Sequence, residues 1–404
     1  MRIDLTSEEC SCGSARVHSS LSVSGQSEPG SPTHEEFEMD LLTNPIKPYP
    51  WGSRTAIAGL TGRTASGPEA EMWLGAHPSG PSRLTRDGVE LTLIDAIAAD
   101  PEAELGRPSV ERFGARLPYL LKLIAVDRPL SLQVHPTAGQ AADGHARGDG
   151  NYCDPWPKPE LICALTPFTA LAGLRAPEQA AMLVERLGVA ALRPVVARLA
   201  AGDMLAALRE LLGLPGSRAD LVKSIVWAAS AVHQPDYELI TRLARLYPED
   251  PAVLAPLLMR RHELEPGQAM FLGAGVLHSY ISGFGVEIMG SSDNVLRAGL
   301  TGKPIDVDEL LRITDASAVP LPVEPSDDAY VPPCPEFLLR RIVPGAGRTL
   351  PGELPRILLC VEGVVQAGDE VKLRAGDSVY VPASEGPVTI SGDGTVFCAE
   401  PQIL

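Results

Sequence analysis

The sequence predicts a mainly β protein, in which a helical insertion interrupts a jelly-roll domain and a second β domain follows. Short apolar runs bounded by Pro, Gly and Asp fill residues 41–172 and return after Glu265, whereas helical periodicity is concentrated in 176–259. The alternative is a doubly wound α/β sheet. It lacks a regular alternation of strands and helices, and neither a dinucleotide-binding nor a P-loop glycine motif occurs.

The N-terminal half begins with a change of composition. Residues 1–38 are rich in Ser, Gly and Glu, which predicts a disordered acidic leader, and we hypothesise that folding starts at Met39. The run 117–126 is apolar without a period, as in a strand buried on both faces, and 161–165 predicts another strand. The remainder of 41–172 is predicted as strand and turn, with one helix near 91–99.

Helical spacing of Leu and Val between Gly and Pro breakers predicts about five helices in the insertion. Beyond it, the glycines at 267, 273, 275, 283, 285 and 290 predict tight turns between short strands, and 305–313 predicts a helix. A Pro-rich segment then predicts a linker. The expected domains are the leader at 1–38, a catalytic β domain at 39–175 and 259–318, the insertion at 176–258, the linker at 319–333 and a C-terminal β domain at 334–404.

Composition excludes several classes of partner. A net charge of −17 over 404 residues argues against nucleic acid and anionic membranes, although a local basic cluster still allows a small anionic substrate. No apolar run approaches the length of a membrane span, and the N-terminus lacks the pattern of a signal peptide. The seven cysteines are scattered without a C-x-x-C motif, which favours reduced thiols and a cytoplasmic location.

Four residues of metal-ligand type suggest a catalytic metal site. Gln133 and His135 stand two apart in S-L-Q-V-H-P-T, so in a strand they point to the same side. Glu160 and His278 would add a carboxylate and a second imidazole, and His278 follows a Gly-rich turn. Such a set, with an open position, suits a catalytic zinc ion, although cobalt, nickel or manganese would also bind.

Charged residues elsewhere predict the walls of a site. Lys158 is expected to share a strand face with Glu160 and to reach the metal-lined cavity. The Gly-rich segment 285–303 carries Glu287, Asp293, Asn294, Arg297 and Lys303, of which Arg297 is the strongest functional candidate. His77 we interpret as a structural histidine near a turn.

Five segments together resemble type I mannose-6-phosphate isomerase (phosphomannose isomerase), a zinc-dependent cupin family. They are N-P-I-K-P-Y-P-W-G-S, E-M-W-L-G-A-H-P-S-G-P-S, L-S-L-Q-V-H-P-T, N-Y-C-D-P-W-P-K-P-E and G-V-E-I-M-G-S-S-D-N-V-L-R-A-G-L-T. The resemblance runs from about Asn44 to Asp315. It implies a cupin catalytic domain and, with a weaker match, a second metal-free cupin-like domain.

The resemblance also implies roles. The zinc ligands, one ion per chain, would be Gln133, His135, Glu160 and His278, and Arg297 would be the catalytic arginine. Pocket residues would be Trp51, Ser131, Lys158, Tyr280, Glu287, Asp293 and Lys303. Trp156 and Pro157 depart from the family's usual Asn and His, and Gly302 from its usual Pro. In some family members that His has been proposed to help open the sugar ring, so either another group opens the ring here or that proposal does not apply to the whole family.

The implied reaction is the reversible isomerisation of mannose 6-phosphate and fructose 6-phosphate through a zinc-stabilised enediolate. Glu287, Asp293 and Lys158 are all candidates for the base, and Glu287 is slightly favoured because burial would raise its pKa. We expect a monomer that binds a small sugar phosphate. The rival hypotheses are a metal-dependent cupin oxygenase and a non-catalytic sugar-binding cupin; Gln133 in the position of a histidine disfavours the former.

Overall fold

A computed structural model describes residues 39–403, so the predicted leader lies outside the described residues. Strand residues outnumber helical ones, which confirms a mainly β architecture. Within this range no helix combines the length and apolar character needed to cross a membrane.

The strands in the described range follow in chain order. They are β1 (Asp40–Leu41), β2 (Ile46–Lys47), β3 (Glu71–Leu74), β4 (Arg83–Arg86), β5 (Val89–Thr92), β6 (Tyr119–Val126), β7 (Leu132–Val134), β8 (Glu160–Ala164), β9 (Phe168–Leu174), β10 (Met259–Leu264), β11 (Ala269–Leu272), β12 (His278–Gly290), β13 (Leu296–Gly299), β14 (Leu321–Val323), β15 (Ala329–Tyr330), β16 (Leu338–Ile342), β17 (Gly345–Leu350), β18 (Arg356–Ala367), β19 (Val371–Arg374), β20 (Ser378–Val381) and β21 (Val388–Glu400).

The α-helices in the same range fall mainly before and within the insertion. They are α1 (Ala56–Leu60), α2 (Leu93–Ala99), α3 (Pro101–Leu105), α4 (Arg107–Phe113), α5 (Ala138–Ala146), α6 (Pro177–Glu185), α7 (Arg193–Ala200), α8 (Met204–Leu212), α9 (Arg218–Ala229), α10 (Pro235–Leu246), α11 (Ala255–Leu258) and α12 (Val307–Ile313). Short 3-10 helices lie at Ala190–Leu192, Pro251–Leu254 and Ala383–Glu385.

The larger sheet is organised around the long strand β12. The C-terminal part of β12 lies between β6 and β8, and its N-terminal part pairs with β9 and, at His278, with β7. The sheet continues through β11 and β14 on one side and through β3 and β2 on the other. Strand β6 is buried at every position, Lys122 included, as its mostly apolar run without a period predicts.

The prediction that Gly283, Gly285 and Gly290 mark turns is wrong, because all three lie within β12. Close packing explains these glycines instead. A Cβ atom at Gly283 would stand 2.5 Å from the Phe168 ring, and one at Gly285 would stand 2.8 Å from the carbonyl oxygen of Cys163. Gly283 also has a positive φ of 131°, which disfavours a side chain.

Helices α6–α11 occupy the insertion. Five of them agree with the predicted segments, and the four-residue α11 was not predicted. Their apolar faces form one buried core together with Leu132 and Val134 of β7, so the insertion supports the strand that carries Gln133. The predictions of α2 and α12 are confirmed to within two residues at each end, whereas α1, α3, α4 and α5 lie where strand or turn was predicted.

The second sheet contains the C-terminal strands, and the first described strand, β1, pairs with β20 at its edge. One hydrophobic cluster joins the two sheets and includes Tyr119 of β6 and Phe397 of β21. The Tyr119 hydroxyl donates to the carbonyl oxygen of Ala399 at 2.9 Å. The predicted linker carries β14, which pairs in the larger sheet, and β15, which pairs in the second. The domain boundaries themselves stay a prediction.

Candidate metal centre and its surroundings

The larger sheet brings the four predicted metal ligands together. Gln133 of β7 lies opposite His278, the first residue of β12, while His135 directly follows β7 and Glu160 begins β8. The Nε2 atom of His135 is 3.1 Å from Oε1 of Glu160, and Nε2 of His278 is 3.3 Å from Oε2. The side-chain amide of Gln133 lies 3.2 Å from Nε2 of His278.

Backbone carbonyls fix the orientation of both imidazoles. Nδ1 of His135 donates to the carbonyl oxygen of Asn294 at 2.8 Å, and Nδ1 of His278 donates to that of Val276 at 2.9 Å. A carbonyl oxygen only accepts hydrogen bonds, so each Nδ1 carries a proton, and in its neutral form each ring presents an Nε2 lone pair. Metal-binding histidines are commonly held in this way.

The buried atoms of the cluster fit a divalent cation. One ligand atom each from His135, Glu160 and His278 lies within 4.8 Å of the others, and all three residues are buried. Among residues 39–403, Nε2 of His135 and Oε2 of Glu160 are buried atoms without a hydrogen-bond partner. Orphaned donors and acceptors are costly in a protein interior, and a zinc ion with nitrogen and oxygen ligands would satisfy these atoms.

The protonation states suit metal binding. Burial lowers the pKa of His135 to about 4, so the ring is neutral at pH 7. Burial opposes the negative charge of Glu160, but the adjacent His135 and Lys158 together hold the pKa of Glu160 well below its usual value. Metal ligands must be deprotonated, and both groups meet that requirement at neutral pH.

Lys158 reaches this cluster by a different route from the predicted one. It precedes β8 rather than sharing a strand with Glu160, yet its Nζ lies 3.4 Å from Oε1 of Glu160. The side chain is almost completely buried. The prediction of its position in a strand is therefore wrong, although its ammonium group does lie beside Glu160; its role in a substrate cavity stays a prediction.

A buried row of charges lies next to the ligands. Lys122 of β6 is 3.3 Å from Glu287 of β12 and 3.6 Å from Glu71 of β3. Burial raises the pKa of Glu287, and burial likewise raises that of Tyr280, whose hydroxyl is buried. Burial opposes the charge of Lys122, but the two carboxylates hold its pKa above the usual value.

A hydrogen-bonded network connects the segment before Lys158 with the segment after β12. The side chain of Asn294 donates to the carbonyl oxygens of Asp154 and Trp156, at 2.8 and 2.9 Å. The Asp154 carboxylate accepts hydrogen bonds from Ser292 and from the backbone of Asp293. The guanidinium of Arg116 stacks on the Trp156 ring at 4.0 Å. This network fixes the carbonyl of Asn294 that orients His135.

The other predicted site residues lie on surrounding elements. Arg297 is in β13, opposite Gln133 of β7, and is half-buried. Ser131 directly precedes β7, and Trp51 packs against the cluster that contains Tyr280. Lys303 lies in the segment between β13 and α12 rather than on a strand of the sheet.

Comparison with known proteins places the chain in a family. Residues 39–177 match the family model for the type I phosphomannose isomerase catalytic domain. The mannose-6-phosphate isomerase of Escherichia coli (strain K12) is 34% identical over 385 residues, which cover 88% of this chain and 98% of that protein. The chain belongs to the mannose-6-phosphate isomerase family.

Further relatives and solved structures of this family agree. The human mannose-6-phosphate isomerase is 29% identical over 400 residues, covering 85% of this chain and 93% of that protein. A mutant of phosphomannose isomerase from Salmonella typhimurium has a TM-score of 0.85 at 32% identity, covering 90% of this chain and 99% of that one. A zinc-bound crystal structure of mannose 6-phosphate isomerase has a TM-score of 0.83 at 32% identity, with the same coverage.

Sequence reasoning missed three residues of the networks around the ligands, Lys122, Glu71 and Asp154. Lys122 interrupts an otherwise apolar run, L-P-Y-L-L-K-L-I-A-V, and a lone lysine in a buried strand was an available signal. Glu71 and Asp154 gave no comparable signal, because their contacts depend on strand pairing and on a loop conformation.

Proposed function

We propose that the chain catalyses the reversible isomerisation of mannose 6-phosphate and fructose 6-phosphate with one zinc ion. The observation that carries this proposal is the buried cluster of His135, Glu160 and His278, whose unpartnered atoms converge in a member of this enzyme family. Gln133 would be the fourth ligand if its side-chain amide rotates so that the oxygen, rather than the nitrogen, faces His278. When bound, zinc supplies a Lewis acid that polarises an oxygen of the substrate.

The isomerisation moves protons between neighbouring atoms of the opened sugar. A base takes the proton from C2, an enediolate forms, and a proton is delivered to C1 while the hydroxyl proton passes from O2 to O1. We assign the proton transfer to Glu287 or Lys158. Burial raises the pKa of Glu287, which makes this carboxylate a stronger base than an exposed one. Lys158 is next to the metal ligands.

Positive side chains would stabilise the charge of the substrate and of the enediolate. We assign this role to Arg297, whose planar guanidinium binds phosphate or an oxyanion through two parallel hydrogen bonds. Its strand lies beside the strand of Gln133, which supports this assignment. Trp51, Ser131, Tyr280, Asp293 and Lys303 are proposed to line the substrate pocket.

We further propose that the larger sheet forms a cupin barrel and that the C-terminal sheet is a second cupin-like domain without metal. The boundaries are those predicted from the sequence. The chain is proposed to act as a cytoplasmic monomer.

The decisive experiment is a coupled assay for fructose 6-phosphate formation with the purified chain. We expect turnover that a chelator abolishes and zinc restores. Oxygen consumption instead of isomerisation would favour a cupin oxygenase, and binding of the sugar phosphate without turnover would favour a sugar-binding protein.

Arg297→Ala tests the proposal that Arg297 stabilises the negative charge of the substrate and of the enediolate. We expect kcat to fall about 10²–10³-fold with unchanged zinc content, as when an oxyanion-stabilising donor is removed. Arg260→Ala is the matched control, because Arg260 is an exposed arginine on β10. Full activity of Arg297→Ala would remove this residue from the mechanism.

A further inference from the structure

A buried histidine lies in the turn after β3, outside the metal ligands. His77 is 3% exposed, and its ring meets the Trp73 ring edge-on at 4.9 Å. The backbone N–H of Ser79 donates to Nδ1 of His77 at 3.2 Å. A backbone N–H only donates, so Nδ1 carries no proton and the neutral ring has its N–H at Nε2.

That Nε2–H faces a carboxylate of the proposed pocket. Nε2 of His77 lies 3.5 Å from Oδ1 of Asp293, and the Ser79 hydroxyl donates to Oδ2 of the same carboxylate at 3.1 Å. The backbone N–H of Asp293 donates to Asp154 at 2.9 Å. The side chain of Asp293 is 29% exposed, so it keeps an open face while its orientation is held from one side.

The position of this carboxylate connects it to the metal centre. Asp293 precedes Asn294, whose carbonyl oxygen accepts the hydrogen bond from His135. Position 157, directly before Lys158, is a proline and has no side-chain donor or acceptor. The carboxylate of Asp293 is thus a held hydrogen-bond acceptor in the segment whose carbonyl orients a metal ligand.

We propose that His77 is a positioning residue, which holds the Asp293 carboxylate in a single orientation for a hydroxyl of the bound sugar. This inference rests on the proposed isomerase function. Burial lowers the pKa of His77 to about 4, although Asp293 acts to raise it, so the ring stays a neutral donor at pH 7. Its role is to direct Asp293 and not to exchange protons with the substrate.

Two substitutions at position 77 distinguish positioning from packing. His77→Phe keeps a ring against Trp73 but removes both nitrogen atoms, whereas His77→Gln gives up the ring and places an N–H near the former Nε2. If the residue only fills space, the phenylalanine variant retains more activity. If it positions Asp293, the glutamine variant does.

The experiment is a double-mutant cycle on the zinc-loaded full chain, with kcat, KM, zinc content and thermal midpoint measured for each variant. We expect His77→Phe to lower kcat/KM about tenfold, because Asp293 loses its 3.5 Å polar contact with Nε2 of His77, and His77→Gln to restore most of it. In an Asp293→Asn background, we expect the same His77→Phe change to have less than about a twofold effect. Zinc content stays at the wild-type value throughout.

Ser79→Ala provides a second variant, since Ser79 is exposed and the substitution removes only the hydroxyl donor to Asp293. It should lower kcat/KM a few-fold in the wild type and should have little further effect in the Asp293→Asn background. This variant decides the matter if His77→Phe does not fold. Additive effects, or a His77→Phe variant more active than His77→Gln, would overturn the inference while leaving the isomerase function intact. A wild-type chain that forms no fructose 6-phosphate overturns both.

Discussion

Zinc should stabilise the metal-free protein, and loss of one imidazole should remove most of that effect. The ion would satisfy two buried atoms that otherwise make no hydrogen bond in the described chain, Nε2 of His135 and Oε2 of Glu160. His278→Ala removes the Nε2 atom that lies 3.3 Å from Oε2 of Glu160, so the remaining ligands no longer enclose the ion. The folded state binds zinc and the unfolded state does not, which converts affinity into stability.

The size of the effect follows from mass action. At a free zinc concentration of 100 times Kd, the stabilisation is about 2.7 kcal/mol. An unfolding entropy of about 2.1 cal/mol/K per residue gives roughly 0.8 kcal/mol/K for a chain of 404 residues. The thermal midpoint of the wild type should therefore rise by about 3 °C. In His278→Ala, an affinity reduced about 100-fold leaves a rise of about 0.5 °C at the same zinc concentration.

The assay is differential scanning calorimetry of chelator-treated protein, before and after addition of zinc. His233→Ala is the matched control, because it removes an exposed histidine of the insertion and should keep the full rise. Magnesium prefers octahedral oxygen ligands and should produce no rise at the same concentration. An equal zinc-dependent rise in His278→Ala and in the wild type would refute the assignment of the ligands.

Three further outcomes test the surroundings of the site. The metal-free protein should lose stability as the pH falls from 6.5 to 4, by up to ~3 kcal/mol each for His77 and His135. The rings bind protons at an ordinary pKa of 6.5 in the unfolded chain, whereas burial lowers their pKa to about 4 in the folded protein. Urea midpoints that stay constant over this pH range would contradict the prediction. Asn294→Ala should weaken zinc binding about 10–100-fold in a chelator competition. The Asn294 side chain anchors its own segment, whose carbonyl oxygen orients the ligand His135. An unchanged zinc affinity would contradict this prediction. Lys122→Met should cost about 3–5 kcal/mol in urea unfolding, because it leaves two carboxylates buried without their counter-ion; a cost below 1 kcal/mol would argue that Glu287 is protonated in the wild type.

The convergence of the four candidate ligands was predictable because residue type and local spacing limit the possibilities. Gln133 and His135 stand two apart at the end of a strand, and His278 follows a turn, so each points from a strand end. Glu160 was a candidate from its residue type, and the resemblance to a known family then added Trp51, Ser131 and Tyr280 to the pocket. The roles of these residues stay predictions.

Features that depend on pairing between distant strands were not predictable from the sequence. Lys122 lies opposite both Trp73 and Glu287 in the sheet, and only this register brings its ammonium between two carboxylates. The contact of His77 with Asp293 likewise joins segments more than 200 residues apart. A single sequence does not specify such register where strands are uniformly apolar.

Some missed helices did carry local signals. Thr137 and Gln140 form a capping box at the start of α5, and Asp100 before Pro101 caps α3. The prediction of turns at the glycines of β12 was wrong for a different reason. Glycine is common in turns, whereas Gly283 is required by the ring of Phe168, over 100 residues away in the sequence. A glycine in the sequence therefore does not distinguish a turn from a closely packed strand position unless the neighbouring strand is known.

The pairing of β1 with β20 has a consequence for biosynthesis. Asp40 and Leu41 remain without their strand partner until Tyr380 and Val379 have been translated and have left the ribosome. The nascent polypeptide therefore cannot attain its final topology stepwise from the amino end, and a ribosome stalled before codon 379 would expose an unfinished edge to chaperones or proteases.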